Sequence, residues 1–156
     1  MNTYEELQEE ACNDGIEIID NYAFKSELIS GLYCDSTIAL SKKLKRTTEK
    51  KCVLAEELGH HYTAVGDITD QSTVENRKQE MRGRIVAYNK LVGLRGIVDA
   101  YLHHCQSISE SAEYLEVTEE FLIDSLNYYR NKYGVYTKLD NYVIVFEPNI
   151  AVLELV

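Results

Sequence analysis

The stretch LAEELGHHYT, residues 54–63, gathers side chains that could do metal or acid–base chemistry. Residues four apart on a helix share a face, so Glu56 and His60 project together, with Glu57 rotated from them by about 100°. Two ligands at that spacing, the first followed by a carboxylate that serves as general base toward water on the metal, make a hydrolytic arrangement. Its usual first ligand is histidine, and here Glu56 stands in that place. Either Glu56 is a ligand, since a carboxylate binds zinc at about the distance imidazole does, or the site has lost its metal.

A catalytic zinc site commonly takes three protein ligands and keeps a position open. Glu80 is the third candidate. In KQEMRGRIVAYNKLV, Glu80, Gly83 and Ala87 form a stripe at i, i+3, i+7 whose small residues let another helix approach. Met81, Ile85, Tyr88 and Val92 form a neighbouring apolar stripe expected to seat that helix on the core. Glu80 then faces the first helix.

The other titratable groups read differently. His61 lies four residues after Glu57 and is expected to play a supporting or structural part. His103 and His104 sit where a helix end favours a cation, and Asp99 with His103 lacks a third partner for a metal. SESAEYLEVTEEFLIDSLNYYR has the outline of a helix-turn-helix. A DNA-reading helix needs Arg, Lys, Asn or Gln toward the groove, whereas this one opens Glu119, Glu120. Core packing or partner docking is its expected use. The tyrosines at 128, 129, 133 and 136 suit burial or an amphipathic contact surface.

Several elements must position the candidate site. A first helix is expected over 3–14, with Leu7 and Ala11 on its buried face and Asn13, Asp14 and Gly15 as its stop. IEII at 16–19 and LYCDSTIAL at 32–40 read as strands, the latter a hairpin around Asp35 and Ser36, giving a small antiparallel sheet. Thr47 or Thr48 is expected to cap the helix that carries LAEELGHHYT. GDITDQS at 66–72 reads as a loop, and Ser72 with Glu75 as a capping box opening a helix to about Val92. Helices follow at about 94–105, 107–115 (Ser107 with Glu110) and 119–133 (Thr118 to Gly134). The tail alternates like strands, broken at Pro148.

The 156 residues suit one domain, 45% of them hydrophobic and 27% charged, a globular composition. A net charge of −10 opposes direct nucleic-acid binding. No apolar run is long enough to span a membrane, and the acidic start MNTYEELQEE is unlike a secretory signal, so the expected location is cytoplasmic. Cys12, Cys34, Cys52 and Cys105 form no CxxC and read as reduced, mostly buried thiols.

LAEELGHHYT followed by QEMRGRIVAYNKLV resembles the ImmA/IrrE family of metallo-endopeptidases carried by prophages and integrative elements. Where that family's helices read approximately LAHELGH and ExxAxxFA, this chain has LAEELGH and Glu80, Gly83, Val86, Ala87. The likeness extends through GLYCDSTIAL before the motif and SISESAEYLEVTEEFLIDSLNYYRNKYG after it. It implies one α+β, minimal zincin-like metallopeptidase domain over 1–156, a small antiparallel sheet packed on a helical bundle. The sheet and active-site helices would occupy about 1–92, and a helical part with a β tail about 93–156. Glu57 matches the catalytic carboxylate, His60 a zinc ligand and Glu80 the third ligand, with Glu56 in the place of the first histidine. The implied cofactor is Zn²⁺, although two carboxylates and one imidazole make a harder set that weakens water acidification and suits Mn²⁺ or another divalent ion. The implied substrate is a phage-type repressor, whose cleavage would derepress the element. Glu56 also leaves open a non-catalytic protein that docks a repressor or toxin on the same fold.

Overall fold

The computed structural model describes residues 3–63 and 74–156, with side chains from residue 77 onward in the second stretch. Among these residues the chain is mixed α+β. Its elements are α1 Tyr4–Asn13, β1 Glu17–Tyr22, β2 Gly31–Cys34, β3 Thr37–Ser41, α2 Thr47–Thr63, α3 Val74–Leu91, α4 Gly93–Leu102, α5 Ile108–Leu115, α6 Glu119–Tyr133, β4 Tyr136–Leu139, β5 Tyr142–Val145 and β6 Ala151–Glu154. The expected loop at 66–72 and the Ser72/Glu75 capping pair lie outside the described residues. One compact unit runs to Ala87 and a second from Tyr88 to Val156.

In the first unit, α1 starts on a reciprocal cap: the Glu6 N–H donates to Thr3 Oγ1 at 3.1 Å, and the Thr3 N–H to Glu6 Oε2 at 2.6 Å. Leu7 and Ala11 are buried, as their spacing predicts. Asp35 (φ 48°) and Ser36 (φ 58°) place both turn residues in the left-handed region, the two-residue geometry whose twist matches a β-hairpin. β2 and β3 pair antiparallel across it.

The sheet departs from expectation in one respect. Its order is β1-β3-β2, and β1 lies parallel to β3, so it is mixed rather than antiparallel. Alternation in a strand sets which side chains face the core but says nothing of its neighbour's direction. Here the buried strand β3, with Ile38, Ala39 and Leu40, takes a partner on each side.

Neither Thr47 nor Thr48 caps α2; both lie inside the helix. The Glu49 carboxylate instead reaches back to the Arg46 N–H at 3.1 Å, satisfying a free donor of the first turn. Gly59 does not end the helix, which runs on to Thr63. Gly59 serves a different purpose, because a Cβ there would stand 2.1 Å from the Gly83 carbonyl oxygen. α2 and α3 thus touch backbone to backbone where small residues were expected on α3. Ala87 is buried on the same stripe, but Met81, 45% exposed, does not join the apolar stripe assigned to it.

The thiols are less buried than expected. Cys52 is buried, Cys105 is half-buried, and Cys12 and Cys34 are exposed; none of the four is joined in a disulfide. Cys12 is rotated off the Leu7/Ala11 face of α1, and Cys34 falls on the outward side of β2 with Leu32.

The second unit is built on α4–α6 and the antiparallel sheet β4-β5-β6. Ser107 caps α5 by accepting from the Glu110 N–H, while the Glu110 carboxylate takes the Gln106 N–H. Thr118 caps α6, and Gly134 at φ 81° closes it. Glu116, left-handed at φ 56°, and buried Val117 turn the chain between α5 and α6. Tyr129 is buried, its hydroxyl accepting from the Gly93 N–H and donating to Asn89 Oδ1, and Tyr133 stacks on Phe146. Tyr136 alone of the four grouped tyrosines lies well exposed, at 62%. Among the described residues no helix is long and apolar enough to cross a membrane.

The Gly59–Gly83 contact leads to a stability prediction. Alanine normally gains about 1 kcal/mol over glycine inside a helix. A methyl driven into a carbonyl oxygen forces the helices apart, an overpacking that costs roughly 1–3 kcal/mol. Gly59→Ala is therefore expected to lower stability in urea denaturation, and a rise of about 1 kcal/mol would contradict the contact.

Candidate functional site

The glycine contact delivers His60 to Glu80. His60, one residue past Gly59, is 3% exposed, and its ring lies against Gly83, where an added Cβ would stand 2.1 Å from Nδ1. Its Nε2 sits 3.2 Å from Glu80 Oε2. Arg84 flanks Glu80 one turn on, at 3.7 Å from Oε1. The Nδ1 atom is buried and has no hydrogen-bond partner among the described residues.

Glu57 is buried at 8% exposure beneath β2. Strand β2 approaches closely because Gly31 has no side chain. A Cβ there would meet Val53 Cγ1 at 2.5 Å and Glu57 Oε1 at 3.3 Å. The Tyr33 main chain acts on the Glu57 carboxyl as a weak opponent of the rise that burial causes in its pKa. The hairpin register leaves its N–H out of the ladder. Cys34 pairs with Thr37 at the turn, so Tyr33/Ile38 is a non-hydrogen-bonded pair. Tyr33 therefore directs its N–H away from β3 at the sheet edge.

The charges are coupled. Burial raises the Glu57 pKa from 4.5 to about 7; His60 opposes the rise, and Glu80 and Glu56 add to it. Burial works against a charged His60, yet the hydrogen bond to Glu80 and the fields of Glu57, Glu80 and Glu56 leave its pKa raised. The hydrogen bond from His60 holds Glu80 low despite partial burial. Three carboxylates thus bear on one imidazole.

His60 and Glu80 are brought together, and Glu57 is seated one turn before His60. Glu56 is half-buried on α2 and acts on both Glu57 and His60 through its charge. Among the described residues no group of three or more His, Cys, Asp or Glu side chains is arranged to hold a metal ion. The expected trio Glu56, His60, Glu80 is therefore assembled only as far as its His60–Glu80 pair. That pair fits a metal: donors about 2.0–2.1 Å from a tetrahedral ion lie about 3.3 Å apart, close to the 3.2 Å seen. The surplus of carboxylate over cation around it also suits a divalent ion.

Comparisons with family models, curated proteins and solved structures gave no match.

The site's geometry also engages residues that the motif did not flag. His61 bonds Tyr33 Oη through Nδ1 at 2.8 Å and Asp14 Oδ2 through Nε2 at 2.9 Å. Tyr33, Gly31 and Asp14 were not foreseen. The available signal was the alternation of Gly31 and Tyr33 on one face of β2, which aims both at α2. His103 stacks on Tyr114, and Asp99 pairs with Arg95 at 3.2 Å, so these two form no metal pair. A cleft of about 610 Å³ in the second unit, floored by Ile97, Leu122, Phe146 and Val152, contains none of the candidate residues.

A pH dependence follows for metal-free protein. Between the unfolded pKa of 4.5 and the folded value of about 7, native Glu57 keeps a proton that the unfolded chain releases. Stability therefore falls as pH rises through that window. His60 acts in the same direction, its contribution present below 6.5 and lost as pH rises through its raised folded pKa. Glu80 contributes above 4.5 and loses that contribution only as pH falls through its lowered folded pKa. Glu57→Gln should stabilise the protein at pH 7.5 by roughly 2–3 kcal/mol and flatten the slope between pH 5 and 7.5 in urea denaturation. An unchanged slope would contradict the protonated, buried Glu57.

Proposed function

We propose that this chain is a divalent-metal-dependent endopeptidase on a minimal zincin-like fold. The observation that carries the reading is the meeting of Glu57, a buried carboxyl with a pKa of about 7, with the His60–Glu80 pair where α2 touches α3. His60 Nε2 and Glu80 Oε2 would hold the ion, and Glu56, four residues before His60 on the same helix face, would add the third donor. When bound, Zn²⁺, or Mn²⁺ in so carboxylate-rich a set, supplies Lewis-acid polarisation of the scissile carbonyl and of the attacking water.

The chain's own residues handle the proton. A pKa near neutrality keeps a useful fraction of Glu57 ionised at pH 7, so its carboxylate can take the proton of the attacking water and return it to the leaving amine. His60 must be neutral at Nε2 to act as a ligand, so uptake of the ion should release protons and strengthen with pH. By the family resemblance, the substrate is a phage-type repressor protein in the cytoplasm, cut to derepress a phage or mobile element. With a net charge of −10, the chain meets no nucleic acid or membrane directly in this reading.

The test is elemental analysis of untagged protein reconstituted with zinc or manganese, together with cleavage of a repressor from the same element. The expected result is about one ion per chain, lost in His60→Ala, Glu80→Ala and Glu56→Ala. Glu57→Gln should keep the ion and lose cleavage by a factor on the order of 10² or more. A chain that takes up no ion, binds the repressor stably and behaves identically as Glu57→Gln would instead be the non-catalytic docking protein that Glu56 leaves open.

A further inference from the structure

We propose that the outer edge of β6 and the cleft beside it form a docking site for an extended, acidic peptide segment, which adds to the sheet β4-β5-β6 as a fourth strand. The inference belongs to the second unit and does not rest on the metal chemistry proposed for the first.

Main chain, as well as side chains, lies against the cleft. Its wall includes five consecutive residues, Pro148 to Val152. Successive residues of a strand face opposite ways, so Ala151 and Val152 both line the cleft only where β6 presents its edge. The register then says what that edge offers. The Leu155 N–H donates to the Asn141 carbonyl at 2.6 Å, which makes Asn141/Leu155 a hydrogen-bonded pair one step beyond the β5–β6 ladder. By alternation Val143/Leu153 is another such pair, whereas Tyr142/Glu154 and Ile144/Val152 are not. Val152 and Glu154 therefore turn their N–H and C=O groups away from β5. β6 is the last strand of its sheet, and among the described residues no main-chain group bonds these outward donors and acceptors.

The cleft's chemistry sets the occupant. At about 610 Å³ it lies within the range of ligand pockets, roughly 300–1,000 Å³. Its floor is apolar, and Tyr101, Ile123 and Ile150 on its lining are 41%, 45% and 39% exposed. Arg130 is the one charged side chain on that lining, in a chain of net charge −10. Leu122, Leu126 and Arg130 stand on one ridge of α6 at successive i+4 steps, so the lining passes from apolar to cationic. Asn127 Oδ1 accepts from Arg130 Nη2 at 3.0 Å and fixes one corner of the guanidinium. Glu147 lies 3.8 Å from Nε, both side chains about half exposed, a solvent-screened pair that a carboxylate on the docked segment can replace. An extended segment with alternate apolar side chains and an Asp or Glu meets each demand: main chain for β6, apolar surface for the floor and an anion for Arg130.

The experiment selects, against the full chain, from random segments of about eight residues displayed inside a carrier loop, where no segment has a free terminus. Enriched segments should alternate apolar residues and carry an Asp or Glu. A selected segment, made as an acetylated, amide-ended peptide, should slow amide hydrogen exchange at residues 152 and 154 by about tenfold or more. Arg130→Ala should weaken its binding by about tenfold or more. Glu154→Pro should abolish binding and keep the unfolding midpoint, because proline is tolerated where an edge N–H faces outward. If that variant does not fold, exchange in the wild type decides. No enrichment, enriched segments without an acid, or unchanged exchange at residues 152 and 154 overturns the proposal. Full binding to Glu154→Pro overturns it as well, and assigns the cleft to a compact ligand instead of a strand.

Discussion

The candidate site depends on one steric condition: α2 and α3 meet where neither has a side chain. Gly59 faces the Gly83 carbonyl, and the missing Cβ atoms let the helix backbones touch. Residues adjacent to that contact inherit its closeness. His60 follows Gly59, Glu80 precedes Gly83 by three positions, and their side chains meet at 3.2 Å. Larger residues at either glycine would separate the helices and with them the His60 imidazole from its carboxylate partner. The same device recurs on the other side of α2, where Gly31 lets β2 descend onto Glu57.

Closeness sets the electrostatics. A single buried imidazole is surrounded by Glu56, Glu57 and Glu80, and the competition resolves into distinct roles. Glu80, hydrogen-bonded to His60, stays ionised, while Glu57, the more deeply buried, is pushed to about 7. Two carboxylates in neighbouring positions with diverging protonation are the pairing that acid–base chemistry uses. The Tyr33 main chain weakly opposes the rise at Glu57, and its side-chain hydroxyl is bonded to His61.

Much of this was legible from residue types. The i, i+4 relation placed Glu57, His60 and His61 on their faces, and the small residues of α3 announced a close helix partner. Ser107, Thr118 and Gly134 marked helix ends through local hydrogen bonding or backbone freedom, which a sequence displays directly. Less was legible where the outcome depended on distant chain. The parallel pairing of β1 with β3 is a choice of neighbour, which strand alternation does not encode. The Asp14–His61–Tyr33 bonds join three elements far apart in sequence and follow no spacing rule. Cap formation by Glu49 in place of a threonine, and the exposure of Met81 and Cys34, were settled by which side of an element the rest of the unit covers.

The central claim is that the touching helices build a metal-ready pair from His60 and Glu80. An anomalous-difference map at the zinc edge, from crystals grown with zinc, tests it most directly. The account predicts a peak bonded to His60 Nε2 and a Glu80 carboxylate oxygen, with Glu56 drawn in as a further ligand. A peak held by other side chains, or a His60–Glu80 hydrogen bond that persists with no peak beside it at saturating zinc, would contradict it.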